Sequence, residues 1–241
     1  MADGVLEVAR LTMAEFRDRV AEGRWLIIPS GTCEEHGPHL PLGSDTLEAE
    51  FLVRAVSERT GALVAPALTY GACTTTRNFP GTIDVRSETV EALTHDVIRG
   101  FAGHGCRKIL VLSGHAGKSH MVALRQAALR AVEASPGLRG LVLCVTEIPA
   151  PARPGPDDLA YDGHAASYET SLVLAMESAL VRRERIPPGG GRPAFPPFEV
   201  LPDPEKFFPS GVMGDPSRAS AEAGKRAVAH AVDAIAALLE R

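Results

Sequence analysis

The sequence predicts an α/β domain with a mostly parallel central sheet flanked by helices, and three observations predict it. Short, continuously apolar runs alternate with longer stretches of helical periodicity, the pattern of strands buried on both faces and joined by helices. The two densest polar turns, at residues 34–45 and 113–120, each follow one of those runs. Doubly wound sheets bind ligands there, beyond the carboxyl ends of their strands, so the two turns can converge on one site. Finally, 241 residues with 45% hydrophobic content suffice for one large core. No internal repeat or interdomain linker divides the chain, so residues 1–241 read as a single domain.

Taken in order, Thr12 and Glu15 have capping-box spacing, which starts a helix that runs to about residue 20. Trp25-Leu26-Ile27-Ile28-Pro29 is the first core strand. After the first polar turn, Leu47, Phe51, Leu52, Ala55 and Val56 keep helical spacing up to Gly61, a natural C-cap. Ala62-Leu63-Val64-Ala65-Pro66 is a second short strand, and a loop follows over 67–82. Residues 87–104 read as a helix with Val90, Leu93, Val97, Ile98 and Phe101 on one face, ended by Gly105. Lys108-Ile109-Leu110-Val111-Leu112 is the strongest strand; it runs into the second polar turn and a helix to about residue 133. A buried strand at 141–145, a proline-rich loop at 149–156 and a helix from the turn at 162–171 to about 181 come next. The stretch 186–216 is dense in Pro and Gly, and so long a loop in a compact domain is functional or an arm toward a partner subunit. A last helix begins at Ser217 or Ser220 and runs to Glu240.

Bulk properties exclude several classes. With 25 basic and 30 acidic residues the chain has no basic face for nucleic acid, whose binding depends on neutralising phosphates. No apolar run approaches the roughly 20 residues that span a bilayer. The start, Met1-Ala2-Asp3-Gly4, lacks the basic and apolar regions of a signal peptide. Cys33, Cys73, Cys106 and Cys144 form no C-x-x-C pair and read as reduced thiols, so the expected location is cytoplasmic. Cys33 lies beside the acidic turn, where small-residue packing is favoured over a reactive thiol.

Chemistry concentrates in a few positions. Glu34 and His36 are two apart, so in an extended segment they project to one side, and Asp45 falls where the chain re-enters a helix. A turn so dense in carboxylate and imidazole is costly to bury unless its charges are paired or bind a metal. The set suits a hard or borderline divalent cation. Helix N-capping would account for Asp45 but not for Glu34 and His36. His115 sits in Gly114-His115-Ala116-Gly117, where glycines permit a tight turn and close approach. That turn resembles the end of a phosphate-binding loop but lacks the upstream glycine of the Walker spacing. His164 and Glu169, at a helix start, are candidates for acid/base work and metal ligation. Alone, His164 would read as a solvated loop residue and Glu169 as a charge favouring the positive helix end. His39, His95, His104, His120 and His230 have no such company in the sequence, and His95, His104 and His230 read as surface helix residues.

Glu34-x-His36-Gly37-Pro38-His39-Leu40-Pro41-Leu42-Gly43-x-Asp45 resembles the signature of the creatininase family of metal-dependent amidohydrolases. Phe79-Pro80-Gly81-Thr82, Gly114-His115-x-Gly117, His164-Ala165-x-x-x-Glu169-Thr170-Ser171 and Gly211-Val212-x-Gly214-Asp215-Pro216-x-x-Ala219-Ser220 match the family's later motifs in order, over nearly the whole chain. The resemblance implies a three-layer sandwich, a small-molecule amide substrate and two divalent ions. Those ions would be zinc, manganese or both, with iron(II) a further option. It also implies a homo-oligomer, a hexamer in several members. By motif, Glu34, His36, Asp45, His115 and Glu169 would be metal ligands, Asp45 bridging the two ions, and His164 with Glu169 would be the catalytic pair, His164 assisting proton transfer. The chain departs from the pattern at Glu35, where Gln is common, and at Ser113 and Lys118, which replace flanking Asn residues. Creatininases proper also place a glutamate where this chain has Gly117, and tryptophans over the substrate where this chain has only Trp25, ahead of the first strand. These departures argue against creatinine itself, and the motifs leave open formamides, small cyclic amides and a peptide-derived cofactor precursor. A non-catalytic metal- or ligand-binding relative is the reading from another class.

Overall fold

The computed structural model describes residues 4–148 and 162–241. Five strands form one parallel sheet: β1 (Leu6–Glu7), β2 (Leu26–Ser30), β3 (Leu63–Val64), β4 (Lys108–Ser113) and β5 (Arg139–Cys144), in the order β1-β3-β2-β4-β5. Six α-helices cover it: α1 (Met13–Ala21), α2 (Ser44–Thr60), α3 (Ser87–Gly103), α4 (Lys118–Ala134), α5 (Ser167–Glu177) and α6 (Ala221–Leu239). Among the described residues no helix is long and apolar enough to cross a membrane.

Strand alternation divides the core into two layers. Leu26, Ile28, Ile109 and Val111 face one side, where Val90, Ile98 and Ala102 of α3 and Leu124 and Ala131 of α4 cover them. Ile27, Leu110 and Leu112 face the other, against Leu52, Val53 and Val56 of α2, Leu172 of α5 and Ile235 and Leu239 of α6. Because β2 and β4 are covered on both faces, they read as unbroken apolar runs. Trp25 closes the second layer by donating its indole N–H to the Leu239 carbonyl at 2.8 Å.

The strand order fixes where a ligand can enter. From β2 the chain crosses to β3 with α2 on one face; from β4 it crosses to β5, the opposite way, with α4 on the other. Crossovers of one hand require that exchange of faces. The adjacent strands β2 and β4 therefore part at their carboxyl ends into a crevice, the topological switch point. Pro29 fits at the end of β2 although the strand is central. Its carbonyl accepts from Leu68 at 2.9 Å, on the flank where β3 pairing has already ended, so no ladder donor is lost there.

Most element expectations hold. Thr12 and Glu15 form a capping box, Gly61 caps α2 with φ of 69°, and Ser220 is the residue that caps α6. The helix expected to reach residue 181 ends earlier, at Glu177, and continues as a 3₁₀ turn over Ser178–Leu180. β1 has only two residues, too few for a periodic signal. The proline-rich loop at 149–156 lies outside the described residues. The stretch 186–216 is irregular but fastened down. Arg77 donates to the carbonyls of Leu201 and Pro202, at 2.9 and 2.8 Å, and Phe208 packs against Phe79 and Phe195.

Helices α5 and α6 approach so closely that a Cβ on Gly224 would lie 1.8 Å from the Ser171 carbonyl oxygen. On an exposed helix, Gly→Ala stabilises by about 1 kcal/mol. Here Gly224→Ala is expected to destabilise by about 1–3 kcal/mol, as overpacking does, read as a lowered urea midpoint at unchanged m-value.

Candidate metal centre

The two polar turns meet in the crevice between β2 and β4. Asp45 lies in the first turn of α2, but Gly43 is the cap residue, and the Asp45 carboxylate turns inward instead. Its Oδ1 lies 3.1 Å from His36 Nε2, and its Oδ2 lies 3.0 Å from His115 Nδ1 and accepts from the Thr32 hydroxyl. Glu34 stands on the His115 side, Oε2 to Nδ1 2.9 Å, and its other oxygen accepts from Thr76. Glu169 stands on the His36 side, 3.8 Å from Nε2. Asp45 thus divides the site into halves, Glu34 with His115 and His36 with Glu169.

Both imidazoles have their orientation set by the backbone. His36 Nδ1 lies 3.1 Å from the Glu34 carbonyl, and His115 Nε2 lies 3.1 Å from the Ala72 carbonyl. A carbonyl only accepts, so those nitrogens carry the hydrogen and the opposite nitrogens face the carboxylates. Such a distal N–H to carbonyl bond is the arrangement that orients metal-ligating histidines. Ser113, at the end of β4, fixes the His115 backbone by donating to its carbonyl at 2.8 Å and accepting its N–H at 3.2 Å. Gly114 is required, since a Cβ there would lie 2.0 Å from the Asp45 carbonyl oxygen. The close approach anticipated for this turn is therefore to the α2 backbone.

The electrostatics agree with a cation site. Burial pushes His36 and His115 toward neutrality, but Asp45 with Glu169 and Glu34 at His36, and Glu34 with Asp45 at His115, outweigh it and hold both well above the ordinary histidine value. Burial would likewise raise Asp45, yet the two imidazoles hold it well below the ordinary range. A positive charge, proton or metal ion, is needed between each nitrogen and the oxygens it faces. Carboxyl groups are nonetheless in excess. Buried Glu48 is pushed well up by desolvation and by Glu169 and Asp45, and its Oε1 has no hydrogen-bond partner. The donor set therefore fits divalent ions: oxygen and nitrogen ligands, with more negative than positive groups.

His164 closes the site from the turn before α5. Its Nε2 lies 2.7 Å from the Glu35 carbonyl and 3.3 Å from Glu35 Oε1, and its ring centroid lies 4.4 Å from that of His36. Ala165 holds a left-handed backbone, φ of 54°, and donates its N–H to Glu169 Oε2 at 2.6 Å, which aims that carboxylate back into the crevice.

Glu34, His36, Asp45, His115, His164 and Glu169 converge here, but the partners of several were not foreseen. His120, set apart as without company, is buried beside His115 with ring centroids 5.1 Å apart, and is bonded to Ser30 Oγ at 3.2 Å. His39 is also buried, 2.9 Å from Thr170 Oγ1. Burial pushes His120 down to about 3 and His39 down to about 4, so both are neutral packing groups. Spacing could have found two of the missed residues. His120 lies on the apolar stripe with Leu124, Ala127 and Ala131, and Glu48 lies one turn after Asp45 and one before Leu52. Thr76 and Cys73 sit in a loop without periodicity, which gave no such signal. Lys118 is exposed, His104 is exposed, and His95 and His230 are half-buried.

Comparison with known proteins agrees with this geometry. The family model for creatininase, creatinine amidohydrolase, matches residues 9–239. Creatinine amidohydrolase of Pseudomonas putida is 32% identical over 251 residues, covering 95% of this chain and 94% of that one. A mycofactocin precursor peptide peptidase of Mycobacterium ulcerans (strain Agy99) is 33% identical over 222 residues, covering 86% and 81%. A structure described as creatininase Mn superposes with a TM-score of 0.87 at 28% identity over 98% of both chains. A glutamate-to-glutamine creatininase variant of the Zn-Zn type superposes with a TM-score of 0.88 at 28% identity over 99% and 98%. With the match running through every motif of the crevice and almost end to end, the chain belongs to the creatininase family of hydrolases acting on carbon–nitrogen bonds.

Proposed function

We propose that the chain is a binuclear metal-dependent amidohydrolase cleaving a non-peptide or cyclic C–N amide bond. The observation that carries this reading is the division of Asp45, one oxygen facing His36 and Glu169, the other His115 and Glu34. Glu34, Asp45 and His115 would hold one divalent ion, and His36, Asp45 and Glu169 the second. Zinc and manganese are the proposed ions, in keeping with the Mn and Zn-Zn creatininase structures, and iron(II) has a compatible ligand set. When bound, such ions supply Lewis acidity toward a water and the amide carbonyl.

The chain's own groups supply the proton handling. His164 gives its Nε2 hydrogen to the Glu35 carbonyl, so Nδ1 is the nitrogen free to exchange a proton with the departing amine. Burial and His36 push His164 down, while the Glu35 side chain, Glu34 and Glu169 bring it to a net rise above the ordinary value. Glu169, fixed by the Ala165 N–H, lies close enough to the second half to hold an ion and to share charge with His164.

Creatinine is not the proposed substrate. This chain has Gly117 where creatininases proper carry a glutamate, and a Cβ there would lie 2.3 Å from His115 Nε2, so a side chain at 117 would require the His115 ring to shift from the position it holds here. A second reading, a formamide deformylase or cofactor-maturation peptidase, draws support from the mycofactocin precursor peptide peptidases, as similar to this chain as the creatinine amidohydrolase. We assign the protein a small-molecule substrate, a cytoplasmic location and a homo-oligomeric state. Fully exposed Phe198 and Val200 at the tip of the 186–216 arm support self-association.

Elemental analysis of chain purified without a chelator is expected to find about two divalent ions per chain. Asp45→Ala should lower that content and abolish hydrolysis, and wild-type values for both would defeat the assignment. His164→Asn should keep its ions and lose roughly 10²–10⁴-fold in kcat. Formamides, cyclic ureides and short modified peptides assayed side by side separate the two substrate readings, the class with the highest kcat/KM naming the function. Light scattering at micromolar concentration should give an oligomer, and a monomer would refute that assignment.

A further inference from the structure

The half-site formed by Glu34 and His115 has a third donor that the family motifs do not name. Cys73 is buried, 1% exposed, and its sulfur lies with a Glu34 oxygen and a His115 nitrogen in a cluster whose atoms are all within 4.8 Å of one another. Ligands around a tetrahedral zinc, bonded at about 2.0–2.3 Å, stand roughly 3.5 Å apart. The cluster thus needs only small side-chain movements to close on one ion.

The loop that carries Cys73 is fastened to the site rather than hanging over it. Cys73 donates its N–H to Asp84 Oδ1 at 2.7 Å, and its carbonyl accepts from the Thr76 N–H at 3.2 Å. Thr76 in turn donates to Glu34, and Ala72, the preceding residue, accepts from His115. Both partners of the thiol are therefore bonded to the loop that presents it. The sulfur itself lies 3.7 Å from the Gly71 carbonyl and makes a side-chain hydrogen bond with Thr32.

We propose that Cys73 is a thiolate ligand of the ion held by Glu34, Asp45 and His115, making this half a mixed carboxylate, imidazole and thiolate centre. The inference rests on the metal reading above. Burial, then the charges of Glu34, Asp45 and Asp84, hold the free thiol well above its ordinary value. Coordination to a divalent ion reverses that balance, the metal–sulfur bond forming as the thiol proton leaves to solvent. A soft sulfur donor selects zinc, iron(II) or cobalt(II) over manganese, while the half with His36 and Glu169 keeps only oxygen and nitrogen donors. The two positions then differ in metal preference.

The test uses the full chain, stripped with a chelator, kept reduced with a phosphine and loaded with cobalt(II) alone. Bound cobalt is expected to show a near-ultraviolet thiolate charge-transfer band beside its visible ligand-field bands. Cys73→Ser should lose the charge-transfer band while keeping the visible ones. Cys144→Ser should keep both, although Cys144 is the other thiol near the site, its sulfur 3.6 Å from the His115 carbonyl. Visible bands without a thiolate band in the unaltered chain would overturn the Cys73 assignment and leave the metal reading intact. A band that survives in Cys73→Ser would overturn it as well. No cobalt uptake at all would overturn both. Should Cys73→Ser fail to fold, zinc-edge X-ray absorption of the unaltered chain decides. A sulfur shell at about 2.3 Å supports the ligand, and nitrogen and oxygen shells alone refute it.

Discussion

Charge withdrawn from water must be neutralised nearby, and that constraint governs the end of the sheet where β2 and β4 part. Glu34, Glu35, Asp45 and Glu48 are buried there, and the side chain of Glu169 is only 12% exposed. An isolated buried carboxylate would take up a proton sooner than stay charged. Glu48 follows that course, pushed well up, whereas Asp45 and Glu34 are held down by imidazoles. The contrast sets Glu48 apart from Asp45 within one turn of α2. It also explains why Asp45 does not cap its helix: its oxygens are worth more between two imidazoles than on backbone N–H groups that Gly43 leaves to other partners.

The surrounding fold serves this arrangement. Two layers of aliphatic side chains hold β2 and β4 in register along their length, each buried Leu or Ile contributing about 1.5–3 kcal/mol. That rigidity permits local costs at the crevice. Gly114 passes against the α2 backbone at a distance no side chain allows, and Ala165 adopts a left-handed conformation costing about 1–2 kcal/mol. Both costs fall on residues that aim a functional group, His115 in the first case and Glu169 in the second. Strain placed in this way is characteristic of sites whose geometry is over-determined by their supports.

What was legible in the sequence follows from the range of each signal. The parallel sheet was readable because strands buried on both faces leave unbroken apolar runs, and the polar turns because no packing role accounts for Glu34 and His36 together. The tautomer-setting contacts were not readable. They depend on backbone carbonyls of Glu34, Ala72 and Glu35, and a carbonyl carries no residue identity. His120 and Glu48 were passed over for another reason. Each occupies an apolar-face position of its helix, where periodicity predicts a hydrophobic residue, so a polar residue there was the signal that spacing offered.

The loop between β3 and α3 shows how a site can change without its motif changing. Ala72 offers His115 a carbonyl, and a Cβ on Gly117 would meet the tip of the same ring. His115 therefore sits between the loop and the start of α4, its lone pair fixed toward Asp45 and Glu34. The proposed Cys73 ligand would give this half an anionic donor from the loop, in a chain that has Gly117 where creatininases proper carry a glutamate. A change of donors outside the first motif would thus alter the metal preference of one half while the motif itself stays the same.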